Sequence, residues 1–395
     1  MTSSAPLDGV RVLDLSRLLP GPMCTLHLAQ LGAEVIKVED TGAGDYARSL
    51  GSTRTPSAFY TIVNRGKRSI ALDLKQSPGR EAFMALAATA DAVVESFRPG
   101  VVRSLGIDYD SVCARHPRIV YASISGYGQD GPRAQAAGHD INYLGYAGVL
   151  DQIGGRDAPP ALSNVQIADL LGGAAMPALA IVAALFDARR SGSGRHIDAA
   201  MADASLAHNV FPLASLIDTG TVPERGNAML TGGVPCYGVY ATRDGRYLAV
   251  GALEDKFWRA LCEHLARPDL VPFGHARGED GARTRAALAT IFGAAPLAHW
   301  MDHFAGVDCC VTPVLGIDEA WRDPQFVARG MVRRDAEGAA VCGAPFRISG
   351  HDPDITAPAP RQGEHTRAIL RELGYDEPAI AQLLADRAVI APQDD

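Results

Sequence analysis

Three side chains in this sequence are our candidates for transferring protons, namely His139, Asp169 and Glu254. His139 stands in the segment GHDINY, where a glycine-rich loop is predicted to pass into a helix. A helix N-terminus disfavours the protonated imidazole, and the neutral imidazole is the form that acts as a general base near neutral pH. A lone histidine is more often structural than catalytic, so its position alone leaves both interpretations open.

The two carboxylates are equally open to a structural interpretation. Asp169 lies near the start of the apolar stretch Ile167–Phe186, where a carboxylate often serves only as a helix cap or dipole partner. Glu254, in the segment GALEDKFW, is predicted to lie in the first turn of another helix. Spacing alone therefore diagnoses none of the three residues as catalytic.

Basic residues gather near two predicted strand ends. The segment NRGKR covers residues 64–68, Lys75 follows the next strand, and Arg98 in SFRPG lies just past the carboxyl end of another. Ligands of open α/β sheets collect at that edge, so a phosphate-rich ligand and a solvated charge cluster are both interpretations of this pattern. The first strand–helix turn reads SRLLPGP and lacks the GxGxxG pattern, which argues against a dinucleotide site, and no Walker A sequence is present.

Alternating strand and helix signals in the first half predict an α/β fold with a parallel sheet. The predicted strands are Val10–Ser16, Ala33–Glu39, Ser69–Lys75, Asp91–Phe97 and Ile119–Ser125. After about residue 200 the pattern predicts a long helical zone over His196–Asp218 and then a smaller α+β domain with short strands at Gly238–Ala241 and Tyr247–Gly251.

Composition excludes several classes of function. The net charge of −8 provides no global basic field, so neither nucleic acid nor an anionic membrane is expected as a partner. Seven scattered cysteines without a CxxC pair predict reduced thiols, a cytoplasmic location and no metal site, and the N-terminus lacks a secretory signal. The stretch Ile167–Phe186 is long enough to span a bilayer, but Asp169, two glycines and Pro177 favour a buried core helix.

Taken together, these segments resemble the family III CoA-transferase superfamily and, within it, the alpha-methylacyl-CoA racemases. The resemblance runs along nearly the whole chain and is carried by PLDGVRVLDLSRLLPGP, GAEVIKVE, NRGKRSIALDL, ESFRPG, SGYGQDGPRAQAAGHDINY, GRHIDAAMADAS, GGVPCYGVY, AVGALEDKFW and CVTPVLGIDEA. Transferases and racemases share several of these segments, which therefore specify the fold and the CoA site more than the reaction.

The resemblance implies an acyl-CoA substrate and a role for each candidate. In the racemase branch His139 and Asp169 would exchange a proton with the α-carbon of a 2-methylacyl-CoA, Glu254 would assist the imidazole, and no cofactor beyond the substrate's own CoA would be needed. In the transferase alternative Asp169 would be a nucleophile that carries acyl groups between CoA and free acids. A third alternative is a non-catalytic acyl-CoA-binding subunit with the same fold.

The same resemblance implies an architecture and a set of binding residues. It implies a large Rossmann-like domain, a smaller α+β domain and two chains interlocked as rings in a homodimer, with domain boundaries at 1–200 (large), 201–230 (linker), 231–311 (small), 312–335 (linker) and 336–395 (return to the large domain). Tyr237 is expected beside the acyl group. The CoA contacts are expected at Leu72, Lys75, Arg98 and, less securely matched, Arg103 or Leu105.

The chain departs from the racemase pattern at three positions. Cys236-Tyr237 replaces an aromatic pair, Ser104 stands where some racemases have a CoA-contacting arginine, and Asp40 replaces an arginine after the second strand.

Overall fold

A seven-stranded sheet organises the larger of two units in the computed structural model, which describes residues 5–51, 56–335 and 338–392. The strands, in chain order, are β1 (Arg11–Asp14), β2 (Glu34–Glu39), β3 (Arg68–Leu72), β4 (Ala92–Glu95), β5 (Val120–Ser125), β6 (His196–Ala200), β7 (Tyr237–Ala241), β8 (Tyr247–Gly251), β9 (Val311–Pro313), β10 (Val332–Arg334), β11 (Ala340–Cys342) and β12 (Val389–Ile390).

The helices surround these strands. In chain order they are α1 (Pro20–Gln30), α2 (Ala58–Asn64), α3 (Ser77–Ala87), α4 (Val101–Leu105), α5 (Tyr109–Arg115), α6 (Asp140–Tyr146), α7 (Met176–Ser191), α8 (Met201–Ala207), α9 (Val210–Thr219), α10 (Asp255–His264), α11 (Gly278–Phe292), α12 (Leu297–His303), α13 (Ile317–Ala320), α14 (Pro324–Ala328), α15 (Thr366–Glu372) and α16 (Glu377–Ala385). A π-helix, Ala168–Ala175, runs directly into α7.

The large sheet has the order β12-β3-β2-β1-β4-β5-β6, and its neighbours are parallel except for the antiparallel pair of β12 with β3. This confirms the predicted α/β fold with a mostly parallel sheet. The chain reverses its direction of travel across the sheet between β1 and β4, which pair with each other in parallel, with Val12 opposite Ala92. Ligands of such sheets bind outside the carboxyl ends of the strands at this reversal.

Alternating side chains of β1 explain the layers of this unit. Leu13 is fully buried in one apolar cluster with side chains of α3 and α16, whereas Val12 is fully buried in a second cluster with side chains of α1 and α7. Successive residues of a strand point to opposite faces, so the two clusters are the two faces of one sheet. The result is helix, sheet and helix in three layers.

The predicted helix over His196–Asp218 is wrong at its start, because residues 196–200 form β6. This strand lies at the edge of the sheet and pairs in parallel with β5. Its sequence, HIDAA, alternates polar with apolar residues, and Ile197 and Ala199 pack against the core on the side of α1 and α7. Alternation with a period of two is typical of a strand. The residues around this short segment favour helix, so the wider pattern predicted a helix instead.

The second unit comprises Gly148–Leu162 and Asn209–Asp323, and the first comprises Met1–Ala147, Ser163–His208 and Pro324–Asp395. In the second unit β7, β8 and β9 form an antiparallel sheet, and a core that includes Trp258, Phe292 and Trp300 packs against it. The predicted small domain, 231–311, lies within this unit, while residues 148–162 group with it although they were expected in the large domain.

The π-helix and α7 together form one apolar helix, Ala168–Ser191. It has a mean hydropathy of 1.9 over its most apolar window, and by length and composition it could cross a membrane. Within the unit, however, Ala174, Ile181 and Leu185 are buried against the sheet. This packing is typical of the core helix of a globular unit, which Asp169, the two glycines and Pro177 predicted.

Candidate active site

Asp169 is the second residue of the π-helix, whose wide turns are rare and occur mostly at functional sites. Two glycines allow this segment to pack closely. A Cβ on Gly172 would lie 2.8 Å from the Cα of Met201, and one on Gly173 would lie 2.3 Å from the Cβ of Pro20. Because Gly172 and Gly173 have no side chains, the π-helix that carries Asp169 can lie directly against α1 and α8.

A hydrogen bond joins this segment to the start of α6. The carboxylate of Asp140, the first residue of α6, accepts a hydrogen bond of 3.0 Å from the backbone N–H of Asp169. His139 is the N-cap of the same helix, with extended backbone angles, and its N–H donates to Oδ1 of Asn142 at 3.0 Å. The residue that follows the predicted histidine is thus hydrogen-bonded to the main chain of the predicted aspartate.

The pKa of Asp169 is raised to about 7 by burial and, to a smaller extent, by the nearby negative charge of Asp140. Both the carboxylic acid and the carboxylate are therefore populated at neutral pH. Such a group can donate a proton and accept one with comparable ease, which is the property required of a general acid–base residue.

Two backbone N–H groups at the start of the π-helix are not free to form an oxyanion site for an enolate. The N–H of Asp169 is taken by Asp140, and the N–H of Leu170 donates to the carbonyl of Gln166 at 3.0 Å. Both donors are engaged inside the protein, so neither is free to stabilise an enolate oxygen.

His139 itself is exposed, and its ring nitrogens have no hydrogen-bond partner in the part of the chain that the structure describes. An imidazole held only by its backbone is free to reach a ligand. Beside it, the hydroxyl of Tyr143 donates to the carbonyl of Gly138 at 2.6 Å. The neighbourhood of His139 is therefore fixed by α6, while its side chain remains accessible.

Arg98 belongs to the same neighbourhood. The pKa of Tyr143 is raised to about 12 by burial first and by the charge of Asp169 second, against the opposing charge of the Arg98 guanidinium. Arg98 is exposed and directly follows the β4 end of the sheet, where the chain reversal lies. The charge of Arg98 therefore acts on Tyr143, a residue of α6, the helix that His139 caps.

The other predicted CoA contacts are spread along the unit. Lys75 is exposed after β3, Arg103 is exposed and pairs with Asp108 at 3.4 Å, and Leu105 packs partly against the core. The side chain of Leu72 is fully buried in that core, so only its main chain is left for a ligand. Lys75 and Arg103 are the members of this set that present cationic side chains to solvent.

Sequence reasoning assigned no role to Arg17, although it lies in the first strand–helix turn at the carboxyl edge. Its guanidinium pairs with Asp40 at 2.7 Å and lies 5.1 Å from the ring centre of Tyr46 and 5.6 Å from that of Phe97. Asp40 is the residue that replaces the expected arginine. A guanidinium therefore still lies at this edge of the sheet. It comes from the turn after β1 and pairs with Asp40, which stands after β2 where the arginine was expected.

Buried charges hold the turn that carries Arg17. Lys67 is buried, and its Nζ donates to Asp14 at 2.9 Å, to Thr25 at 2.8 Å and to Asn64 at 2.8 Å. Each of these bonds is charge-assisted and shielded from water, and together they tie the end of β1 to α1 and to α2, on either side of the turn. The basic segment NRGKR thus contains at least one lysine with a structural role.

Glu254 and Tyr237 lie in the second unit. Glu254 is the N-cap of α10, and its carboxylate is exposed and has no hydrogen-bond partner among the residues that the structure describes. Tyr237 begins β7 and pairs with Gly251 at the end of β8, three residues before Glu254. The two predicted residues therefore share one end of the small sheet. Among the described residues, no group of three or more His, Cys, Asp or Glu side chains could hold a metal ion.

The fold and the site define an α/β protein with acid–base groups at the carboxyl edge of its sheet, and known proteins identify its family. The profile of CoA-transferase family III matches residues 7–366. The chain is 36% identical to alpha-methylacyl-CoA racemase of Mus musculus, with 97% of each chain covered. It is 35% identical to acetyl-CoA:oxalate CoA-transferase of Acetobacter aceti, with 94% of this chain and 97% of that one covered.

A solved structure agrees. A CaiB/BaiF family protein from Brucella suis superposes with a TM-score of 0.83 at 32% identity, covering 94% of this chain and 100% of the other. The chain belongs to CoA-transferase family III. Its nearly equal identity to a racemase and to a transferase means that family membership does not choose between the two reactions.

Proposed function

We propose that this protein is an acyl-CoA isomerase that epimerises the α-carbon of 2-methylacyl-CoA thioesters. The observation that carries the proposal is a carboxyl group of pKa about 7 at Asp169, whose backbone N–H is hydrogen-bonded to Asp140, the residue that follows His139. Inversion requires an acid–base group on each face of a planar intermediate, and each group must work in both protonation states because the reaction runs in both directions. Asp169 meets this requirement at neutral pH.

In the proposed reaction one of the pair, His139 or Asp169, removes the α-proton. The C–H bond breaks, and its electron pair moves into an enolate on the thioester oxygen. The other residue then donates its proton to the opposite face of the α-carbon, which gives the epimer. After the reaction the residue that acted as base carries a proton, and the residue that acted as acid has lost one. The first protonation state returns by turnover of the other epimer or by proton exchange with water.

The remaining residues are proposed to bind and orient. Arg98, Lys75 and Arg103 would contact the anionic CoA, together with Leu105 and the main chain of Leu72. Tyr237 would lie beside the acyl group. Glu254 would orient and polarise the imidazole of His139. Enolisation transfers protons without oxidation or reduction, so the proposal needs no cofactor apart from the CoA of the substrate.

We also propose a homodimer that works in the cytoplasm, in lipid metabolism. The second unit supports the dimer, because α9 has the apolar sequence VFPLASLIDT and none of its residues is buried. Phe211 is 68% exposed and Ile217 is 73% exposed. Contiguous apolar surface of this kind marks interaction sites, and a second copy of the chain is the proposed occupant.

Similarity to acetyl-CoA:oxalate CoA-transferase favours a second candidate function. In a transferase the carboxylate of Asp169 would attack the thioester carbonyl and expel CoA thiolate to form a mixed anhydride. The free acid would then displace the first acyl group from Asp169 as its carboxylate and form a new mixed anhydride. The CoA thiolate would attack this anhydride, which gives the second acyl-CoA and frees Asp169. A carboxyl group that is half protonated at neutral pH is less suited to this role, since only the carboxylate is nucleophilic.

One experiment separates the candidates. The purified protein is incubated in D2O with (2R)-2-methylacyl-CoA, and mass spectrometry and chiral chromatography follow α-deuterium and the 2S epimer. The isomerase gives both products without a free acid. CoA transfer to an added carboxylic acid, with hydroxylamine trapping at Asp169 and no α-exchange, supports the transferase instead. Acyl-CoA binding without either reaction supports the non-catalytic alternative.

A further inference from the structure

One imidazole in the second unit links the two segments that carry Tyr237 and Glu254. Nε2 of His275 lies 2.8 Å from the backbone carbonyl of Leu253, the residue before Glu254. Nδ1 of the same ring lies 3.7 Å from Sγ of Cys236, the residue before Tyr237.

The direction of each hydrogen bond follows from the groups involved. A carbonyl oxygen can only accept, so Nε2 of His275 must carry a proton and donate it to Leu253. Nδ1 of the neutral ring is then an acceptor, and the thiol of Cys236 donates to it. Burial raises the pKa of Cys236, which keeps the thiol protonated and able to donate. By donating to Nδ1, the thiol of Cys236 favours the tautomer of His275 that carries its proton on Nε2. This is the tautomer that can donate to the carbonyl of Leu253.

Backbone contacts place His275 for this role. The N–H of Cys236 donates to the carbonyl of Gly274 at 3.0 Å, so residues 236 and 274–275 are joined by the main chain as well as by the side chains. A Cβ on Gly274 would lie 2.7 Å from the indole of Trp258, so glycine allows this segment to lie directly on a buried ring of α10.

The segment that His275 holds has few other restraints. Glu254 caps α10 without a side-chain hydrogen bond, and the N–H of Leu253 reaches only back to the carbonyl of Gly251 at 3.0 Å. Among the described residues, the bond from His275 is therefore the hydrogen bond that ties the Leu253–Glu254 peptide to a different part of the unit, while the side chain of Leu253 packs against the core.

We propose that His275 is a positioning residue that fixes the Glu254 turn relative to Tyr237, with Cys236 selecting its tautomer. The inference rests on the proposed function for the importance of Glu254. It also explains the departure of the chain from the aromatic pair, since a phenyl ring at position 236 could not donate to His275. His275 acts through the main chain and does not contact the reacting atoms.

A matched set of variants tests the proposal. His275→Phe keeps a ring but removes both hydrogen bonds, whereas His275→Gln keeps an Nε2 donor and an acceptor. We expect kcat for α-deuterium exchange to fall about tenfold or more in His275→Phe with KM changed less than about threefold, since small displacements of a catalytic group cost rate. His275→Gln is expected to recover kcat to within about threefold of the unmodified protein.

A second readout does not depend on activity. Hydrogen–deuterium exchange of the backbone over residues 252–258 is expected to accelerate about tenfold in His275→Phe and to stay near the unmodified rate in His275→Gln, because local opening follows the loss of the restraining bond. The control is His264→Phe, which removes a comparable bond of 2.6 Å between an imidazole and the carbonyl of His303 in the same unit. It is expected to change neither readout.

The outcomes separate this inference from the proposed function. Equal exchange over 252–258 in His275→Phe and the unmodified protein overturns the inference, whatever the reaction. Equal loss of kcat in His275→Phe and His275→Gln also overturns it, because retained hydrogen bonds would then have no effect. If the unmodified protein lacks α-exchange but the 252–258 segment loosens as expected, the proposed function fails and the positioning of the turn stands.

Discussion

Replacing Asp140 with asparagine isolates the electrostatic part of the Asp169 site. Asparagine has nearly the same shape, and its Oδ1 can still accept the 3.0 Å hydrogen bond from the N–H of Asp169. The negative charge is lost, however, and that charge is the second cause of the raised pKa of Asp169 after burial. The variant should therefore lower the pKa of Asp169 without moving the residue.

The size of the effect follows from the geometry. Standard bond lengths put the Asp169 carboxyl carbon within roughly 6 Å of the Asp140 oxygen that holds its N–H. Two unit charges about 6 Å apart interact by about 1.4 kcal/mol at an effective dielectric of about 40 and about 2.8 kcal/mol at about 20. One pKa unit corresponds to about 1.4 kcal/mol, so the pKa of Asp169 should fall by about one to two units.

The assay is the pH profile of α-deuterium exchange between pH 4.5 and 9. The rising limb marks the loss of the Asp169 proton, whose pKa is about 7. In Asp140→Asn the rising limb should move to lower pH by about one to two units. Asp203→Asn, at another first-turn aspartate of the same unit, should leave it in place. An unmoved limb in Asp140→Asn, with the protein folded, would refute the electrostatic role of Asp140.

Three further predictions concern stability and binding. Lys67→Met leaves Asp14 without its closest buried cation and should lower the free energy of unfolding in urea by about 3 kcal/mol; a loss below about 1 kcal/mol contradicts a structural role. Asp169→Asn should be about 4 kcal/mol more stable than the unmodified protein at pH 8 and nearly equal to it at pH 4. The unfolded carboxyl ionises near its ordinary pKa of 3.8 and the folded one only near 7, so the unmodified protein loses stability as pH rises from about 4 to 7; a difference independent of pH contradicts this. Arg98→Ala should raise KM for acyl-CoA about tenfold, whereas Arg118→Ala should not; equal KM values argue against a CoA contact at Arg98.

The sheet was predictable because its strands are short apolar runs separated by helical patterns. The predicted strands at residues 10–16, 33–39, 91–97 and 119–125 contain β1, β2, β4 and β5, and the predicted strand at 69–75 overlaps β3, which begins one residue earlier. β6 was missed because HIDAA sits among good helix formers and becomes a strand only by pairing with β5. Tertiary pairing overrode local propensity at this edge.

The site was only partly accessible from sequence. His139 and Asp169 were found through resemblance, but Asp140 was overlooked although it stands beside His139, because its burial and its bond to Asp169 exist only in the folded unit. The π-helix was also unforeseen, since its wide turn depends on close packing at Gly172 and Gly173. Arg17 was not a candidate from sequence, because its pairing with Asp40 exists only in the folded unit.

The most direct measurement of the two-face mechanism is one-sided exchange in Asp169→Asn and His139→Asn. Each variant is incubated in D2O with the 2R and with the 2S thioester, and α-deuterium and configuration are recorded. The mechanism predicts that neither variant inverts its substrate, and that each incorporates deuterium with retention into one epimer only, the two variants choosing opposite epimers. Incorporation into the same epimer by both variants, or inversion by either, would contradict it.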